Sequence, residues 1–146
     1  MPLLILMPSL NTMIGSYGTI MSSRFTTLLH EGKIKNKWYK NEEMRQLIKQ
    51  IFIIALIMSV LSSTIAFTIS SLSGYELIPD VITKILLITI IDVILLVSII
   101  VLVSTFAGLY IYHKKEDPNN FLIPITTSIA DLGNLLLLAF LVSVFF

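Results

Sequence analysis

Four stretches of the chain are long, predominantly apolar runs, and short hydrophilic segments separate them. They cover about residues 3–29, 41–72, 81–112 and 118–146. Each exceeds the roughly 20 residues an α-helix needs to cross a hydrocarbon core of about 30 Å. Lipid offers no partner for backbone N–H and C=O groups, so such runs must be helical. The pattern therefore predicts an all-α, polytopic integral membrane protein with one transmembrane domain over residues 1–146. The punctuation agrees with this. Gly32 is placed to stop the first helix, and Asn41 is an N-cap with Glu42 and Glu43 in the following turn. Asp117 caps the fourth helix, with Pro118 in its first position, where a missing N–H costs nothing.

The polar residues inside these runs carry the functional information. The first run holds Ser9, Asn11, Thr12, Ser16, Thr19, Ser22, Ser23 and Thr26, together with Gly15 and Gly18. Asn11, Gly15, Gly18 and Ser22 share a helical stripe, flanked by Thr12, Ser16, Thr19 and Ser23. Such a face is either a tight helix–helix contact or the wall of a water-filled path. The fourth run holds Asp131, and Pro124, Thr127, Asp131 and Asn134 are predicted to form one polar stripe. A carboxylate at mid-bilayer depth costs about 2.5–3.5 kcal/mol on insertion scales, so Asp131 reads as functional. Asp92 lies deep in the third run with only Thr89 one turn before it; function and interhelical hydrogen bonding fit it equally.

Composition narrows the class further. The chain is 55% hydrophobic and 13% charged, with a mean hydropathy of +0.91, outside the soluble globular range. It has no cysteine, which excludes disulfides, thiolate metal ligands and cysteine nucleophiles. The N-terminus lacks the basic region and cleavage site of a signal peptide. Lys and Arg concentrate in and beside the first and third connections, whereas the second carries Glu76 and Asp80. The positive-inside rule makes the first and third connections cytoplasmic and both termini external. A chain that starts outside with a polar first span implies a preceding helix, hence four to five helices in all. Beside a span, the basic stretch 31–40 is a topology signal, and no nucleic-acid partner is expected. Arg24 is placed to snorkel toward the interface, and His30 and His113 lack a zinc-binding spacing.

Carboxylate, hydroxyl and carboxamide oxygens without a soft ligand suit a hard divalent cation, Mg²⁺ or Ca²⁺. One Asp131 supplies one negative charge; a two-fold dimer with Asp131 near its axis would supply two. The ion is then cargo, and no cofactor is expected. A reading from a different class is an intramembrane hydrolase using Asp92 and Asp131 as an acid/base pair. The context Ala130-Asp131-Leu132-Gly133 is not the Gly-x-Gly-Asp of an intramembrane aspartyl protease, so no enzymatic activity is expected.

The segment Pro8-Ser9-Leu10-Asn11, followed by Gly15, Ser23-Arg24, Thr27, His30 and Gly32, resembles the second transmembrane helix of the MgtE family of magnesium channels and transporters. The segment Asp117-Pro118, Pro124, Thr126-Thr127, Ala130-Asp131 resembles that family's last transmembrane helix. The two blocks keep the family's order and enclose the two hydrophobic helices it would have between them, as in its half-size archaeal members. The resemblance implies a five-helix protomer, paired so that a pore lined by the second and fifth helices runs along the dimer axis. It implies Asp131 as the principal Mg²⁺ ligand, with Thr127 shaping the same site and Asn11 on the opposing pore wall. The family's first helix is not in the sequence, its Gly-Asn pair stands here as Gly15-Ser16, and its soluble regulatory domains are lacking.

The expected protein is thus a multi-pass cell-membrane transporter or channel for a divalent cation, magnesium, acting as a homodimer or paired with a sister half. Its expected ion site comprises Asp131, Thr127, Asn11, Ser16 and Asp92. A non-conducting accessory half-subunit is the alternative within the same family.

Overall fold

The computed structural model describes residues 1–34 and 37–146; Lys35 and Asn36, part of the predicted basic connection, lie outside the described residues. Four helices follow one another: α1 Pro2–His30, α2 Glu42–Leu72, α3 Pro79–His113 and α4 Pro118–Phe145, with a single 3₁₀ turn at Trp38–Lys40 before α2. All four are long and apolar enough to cross a membrane, and no strand occurs among the described residues. At a rise of 1.5 Å per residue their lengths are about 42–52 Å, so each also reaches into the headgroup layers.

Local chemistry sets the helix ends. Asn41 Oδ1 accepts from the Met44 N–H at 2.9 Å, and Asp117 Oδ1 accepts from the Asn119 N–H at 3.0 Å. α3 starts at Pro79, two residues before the predicted Val81, because proline's fixed φ suits a first helical position. The first three helices end in the same way. Gly32 turns left-handed at φ 69°, its N–H bonding Leu29 O and the Lys33 N–H bonding Leu28 O, both at 3.1 Å. Gly74, at φ 82°, repeats the pattern with Ser71 and Ser70. At the end of α3 the left-handed position is filled by Lys115 at φ 61°, bonded to Tyr112 O.

α1 and α3 each pack against all three other helices, and α2 and α4 flank that pair. Leu10, Ile14, Met21 and Phe25 of α1 meet Ile88, Val97 and Ile100 of α3 and Leu122 of α4 in the buried core. Small residues permit this closeness. A Cβ built on Gly18 would lie 3.0 Å from Thr126 Cβ of α4, and one on Gly108 would lie 2.7 Å from the Phe25 ring. α2 buries a row of small side chains, Ala55, Ser59, Ser63, Ala66 and Ser70, which the sequence reading had not singled out. Ser22 joins three helices, lying 3.5 Å from Ser104 Oγ and 3.4 Å from Thr126 Oγ1.

The ends of the bundle differ in charge. His30 stacks edge-on against Tyr112 and lies 3.8 Å from Asp117, while Trp38 meets Phe106, so the first and third connections share one end. There Lys33 bridges Glu31 and Glu43 at 2.9 Å each, and hydrogen bonds to those two carboxylates, Glu31 first, raise its pKa above the usual lysine value. At the opposite end Lys84 pairs with Asp80 at 3.0 Å and lies over the Phe146 ring.

Candidate ion-conducting face

The outward surfaces of α2 and α3 are what lipid requires: Ile53, Ile57, Leu61 and Ile65 on α2, and Leu95, Ile99, Leu102 and Phe106 on α3, all exposed. The surface shared by α1 and α4 is different. Pro8, Ser9, Thr12, Ser16 and Thr27 are exposed on α1, with Asn11, Gly15 and Thr19 half-buried beside them; α4 contributes exposed Pro124, Ser128 and Asp131 and half-buried Thr127. A polar face thus runs along two helices whose remaining exterior is largely apolar.

Asp131 lies thirteen residues into the 28-residue α4, at its middle. Its Oδ1 accepts from Asn11 Nδ2 at 2.7 Å, a short, charge-assisted contact across the α1–α4 boundary. Among the described residues nothing bonds Oδ2. A hollow of about 300 Å³ beside Asp131 is lined by Met7, Pro8, Asn11, Asp131, Asn134 and Leu135. Four of the hydroxyls along the face share one orientation, whereas Ser9 donates to Ser62 Oγ of α2 at 3.3 Å. Thr12 donates to Pro8 O at 3.0 Å, Ser16 to Thr12 O at 2.8 Å, Thr19 to Gly15 O at 3.1 Å and Thr127 to Ile123 O at 2.8 Å. Each of these four hydroxyl hydrogens is thereby spent on its own helix, which leaves the oxygen as an acceptor. A strongly hydrated cation presents outward-pointing water hydrogens, and a row of acceptors is the surface that receives them.

The predicted residues are thus brought together unequally. Asp131 and Asn11 line one hollow, with Thr127 one turn away on α4, while Ser16 lies on the flank of α1 that borders Ile54 and Met58 of α2. Asp92 is apart from them: it is 0% exposed, on α3 behind the face. The single stripe expected for α4 also splits, because Pro124, Thr127 and Asp131 look outward while Asn134, at 1% exposure, turns inward. Positions 131 and 134 differ by about 60° around a helix of 3.6 residues per turn, enough to fall on opposite sides of a packed boundary. Thr89, the expected neighbour of Asp92, gives its hydroxyl hydrogen to Ile85 O at 2.8 Å. The partner of Asp92 is Asn134, whose carboxamide turned so that its nitrogen donates reaches Asp92 Oδ2 at 3.0 Å. In the other orientation that nitrogen faces Met7 O at 3.3 Å and Asn11 Oδ1 at 3.4 Å. The sequence signal for this was the row Leu122, Thr126, Ala130, Asn134, Leu138, small or apolar at every fourth position and buried throughout. The side-chain hydrogen bonds of the two carboxyls thus run to carboxamides and not to each other, as an acid/base pair would require. Among the described residues no three His, Cys, Asp or Glu side chains converge on one point.

The architecture is thus a polytopic helical bundle with a polar face along α1 and α4. The chain belongs to the MgtE family, described as divalent cation transporter, which matches residues 7–141 and so takes in most of all four helices and every residue named on this face. No curated protein and no solved structure matches the chain. It is a multi-pass membrane protein of a family of divalent cation transporters, not of enzymes.

Proposed function

We propose that the chain moves Mg²⁺ across the cell membrane along the α1–α4 face, with Asp131 as its principal ligand and Asn11, Thr127 and Ser16 lining the approach. The observation that carries this reading is the exposure of Asp131, at the middle of an apolar helix and bonded by Asn11, on a surface of acceptor oxygens. Lipid cannot cover such a surface without leaving the carboxylate and hydroxyls unsatisfied. Water, an ion or a second polar face must cover it. Mg²⁺ sheds its waters reluctantly and is held by one or two carboxylates with several waters retained. Two copies of this chain, facing each other through α1 and α4, would oppose two Asp131 carboxylates and match a divalent charge. The ion is cargo, no resident cofactor is required, and Asp92 serves as support behind the face.

Expression in a host deprived of its own Mg²⁺ uptake should restore growth at limiting Mg²⁺, and failure to do so with the protein in the membrane would contradict the reading. Ser16 sets a finer expectation. The chain has a short hydroxyl at an exposed position of α1, where an asparagine would extend a carbonyl oxygen toward a hydrated ion. Ser16→Asn should therefore sharpen the preference for Mg²⁺ over Ca²⁺ and Mn²⁺ with little change in folding. Identical competition curves would place Ser16 at a packed helix contact instead. Orientation is tested separately: single cysteines at Lys37 and Lys114 should be shielded from an impermeant thiol reagent in intact cells, and one at Glu76 should label. The reverse pattern would invert the basic end of the bundle.

A further inference from the structure

Asn134 is placed to reach both buried Asp92 on α3 and Asn11 on α1. It is 1% exposed, and Asp92 behind it is 0% exposed with Oδ1 unpartnered, so the pair sits in a dry interior where polar groups are costly unless bonded. Turned toward α1, its nitrogen faces Met7 O and Asn11 Oδ1; turned toward α3, it donates to Asp92 Oδ2 while its oxygen receives the Asn11 backbone N–H at 3.3 Å. In both orientations it grips α1 within one turn of Asn11. The next bond in the chain is Asn11 Nδ2 to Asp131 Oδ1.

We propose that Asn134 is the positioning residue of the cation face: turned toward α1, its N–H₂ group donates to Asn11 Oδ1 and so holds that carboxamide with its own N–H₂ group on Asp131. This rests on the α1–α4 face being the ion path. The Asn11 carboxamide has two ends, one a donor and one an acceptor, and only the donor end can hold a carboxylate. With Asn134 filling the space behind it, Asn11 presents that end outward, commits Asp131 Oδ1, and leaves Oδ2 to the hydrated ion. Without Asn134, Asn11 can turn its oxygen into the face, and Asp131 loses the bond that fixes its rotamer. Both carboxylate oxygens then become free to strip water from a larger, more easily dehydrated ion, so discrimination between Mg²⁺ and Ca²⁺ falls.

A purely structural role, pairing Asp92 in the core, has a different consequence, and a double variant separates the two. Asn134→Leu alone strands the Asp92 carboxyl and is expected to lower stability as well as transport. Asp92→Leu combined with Asn134→Leu removes both buried polar partners, which restores an apolar interior of similar volume. In Mg²⁺ flux into liposomes containing the purified chain, the double variant should keep near wild-type thermal stability. Its half-saturating Mg²⁺ should rise about tenfold, equivalent to about 1.4 kcal/mol, and Ca²⁺ should compete more strongly. A double variant with wild-type half-saturation and wild-type Ca²⁺ competition overturns the proposal. Should the double variant fail to fold, Asn134→Ser, which fills less space and keeps a small polar group, is read in the same assay, with the same two outcomes deciding. Asp131→Asn in parallel liposomes separates the two claims: flux surviving that change sinks the ion path itself, whereas flux lost there with the Asn134 variants unaltered sinks only the positioning role.

Discussion

Replacing Asp131 by asparagine should abolish Mg²⁺ uptake while leaving the protein in the membrane. The substitution keeps the shape of the side chain and its capacity to accept from Asn11 Nδ2, 2.7 Å away, so the α1–α4 contact survives. What disappears is the charge. Losing one partner of a charge interaction costs up to about 3–5 kcal/mol where the pair is shielded from water, which corresponds to roughly two to four orders of magnitude in apparent affinity. Uptake in a transport-deficient host, compared at matched membrane content, measures it. Near wild-type uptake would remove Asp131 from the path.

The second large effect is structural. Gly18→Leu places a branched side chain where even a Cβ would lie 3.0 Å from Thr126 Cβ and 3.1 Å from Thr126 Oγ1. Gly18 is buried, and the Ser22–Thr126 contact lies one turn further along α1, so neither helix can yield locally. Overpacking of this kind costs about 1–3 kcal/mol, and here α4 must move away from α1 and carry Asp131 with it. Unfolding of the purified protein in detergent should shift to lower temperature, and Mg²⁺ transport should fall with it. Gly18→Ala should show the same direction with a smaller size. An unshifted transition would mean that α1 and α4 do not approach closely at this level.

The helices and their ends were legible in the sequence because the signals are local. Runs of apolar residues longer than a bilayer fix the number of spans, and Asn41, Asp117, Pro118 and Gly32 act on backbone groups within a few residues of themselves. Asp131 was legible for a related reason, since a carboxylate amid apolar sequence is unusual whatever surrounds it. Face assignment was less accessible. Asn134 and Asp131 are three residues apart on one helix, yet the first is enclosed by α1 and α3 and the second is exposed. Periodicity gives the angle between them, but not where the boundary set by the neighbouring helices falls. The link from Asp92 to Asn134 depends on α3 and α4 packing side by side, a relation that neither segment carries by itself. The small-residue row of α2 could have been read directly, since Ala55, Ser59, Ser63, Ala66 and Ser70 recur every three or four positions.

On the proposed function the α1–α4 face is a wet cation path while the outer face of α2 meets lipid. The absence of native cysteine lets a single introduced thiol report on each surface. Thiols react as thiolates, which form in water and not in hydrocarbon. In liposomes carrying the purified chain, a charged, water-soluble thiol reagent should react with Ser16→Cys and stop Mg²⁺ entry. The same reagent should leave Ile57→Cys unmodified and Mg²⁺ entry unchanged. An unreactive Ser16→Cys with Mg²⁺ entry continuing in the presence of reagent would contradict the assignment of this face.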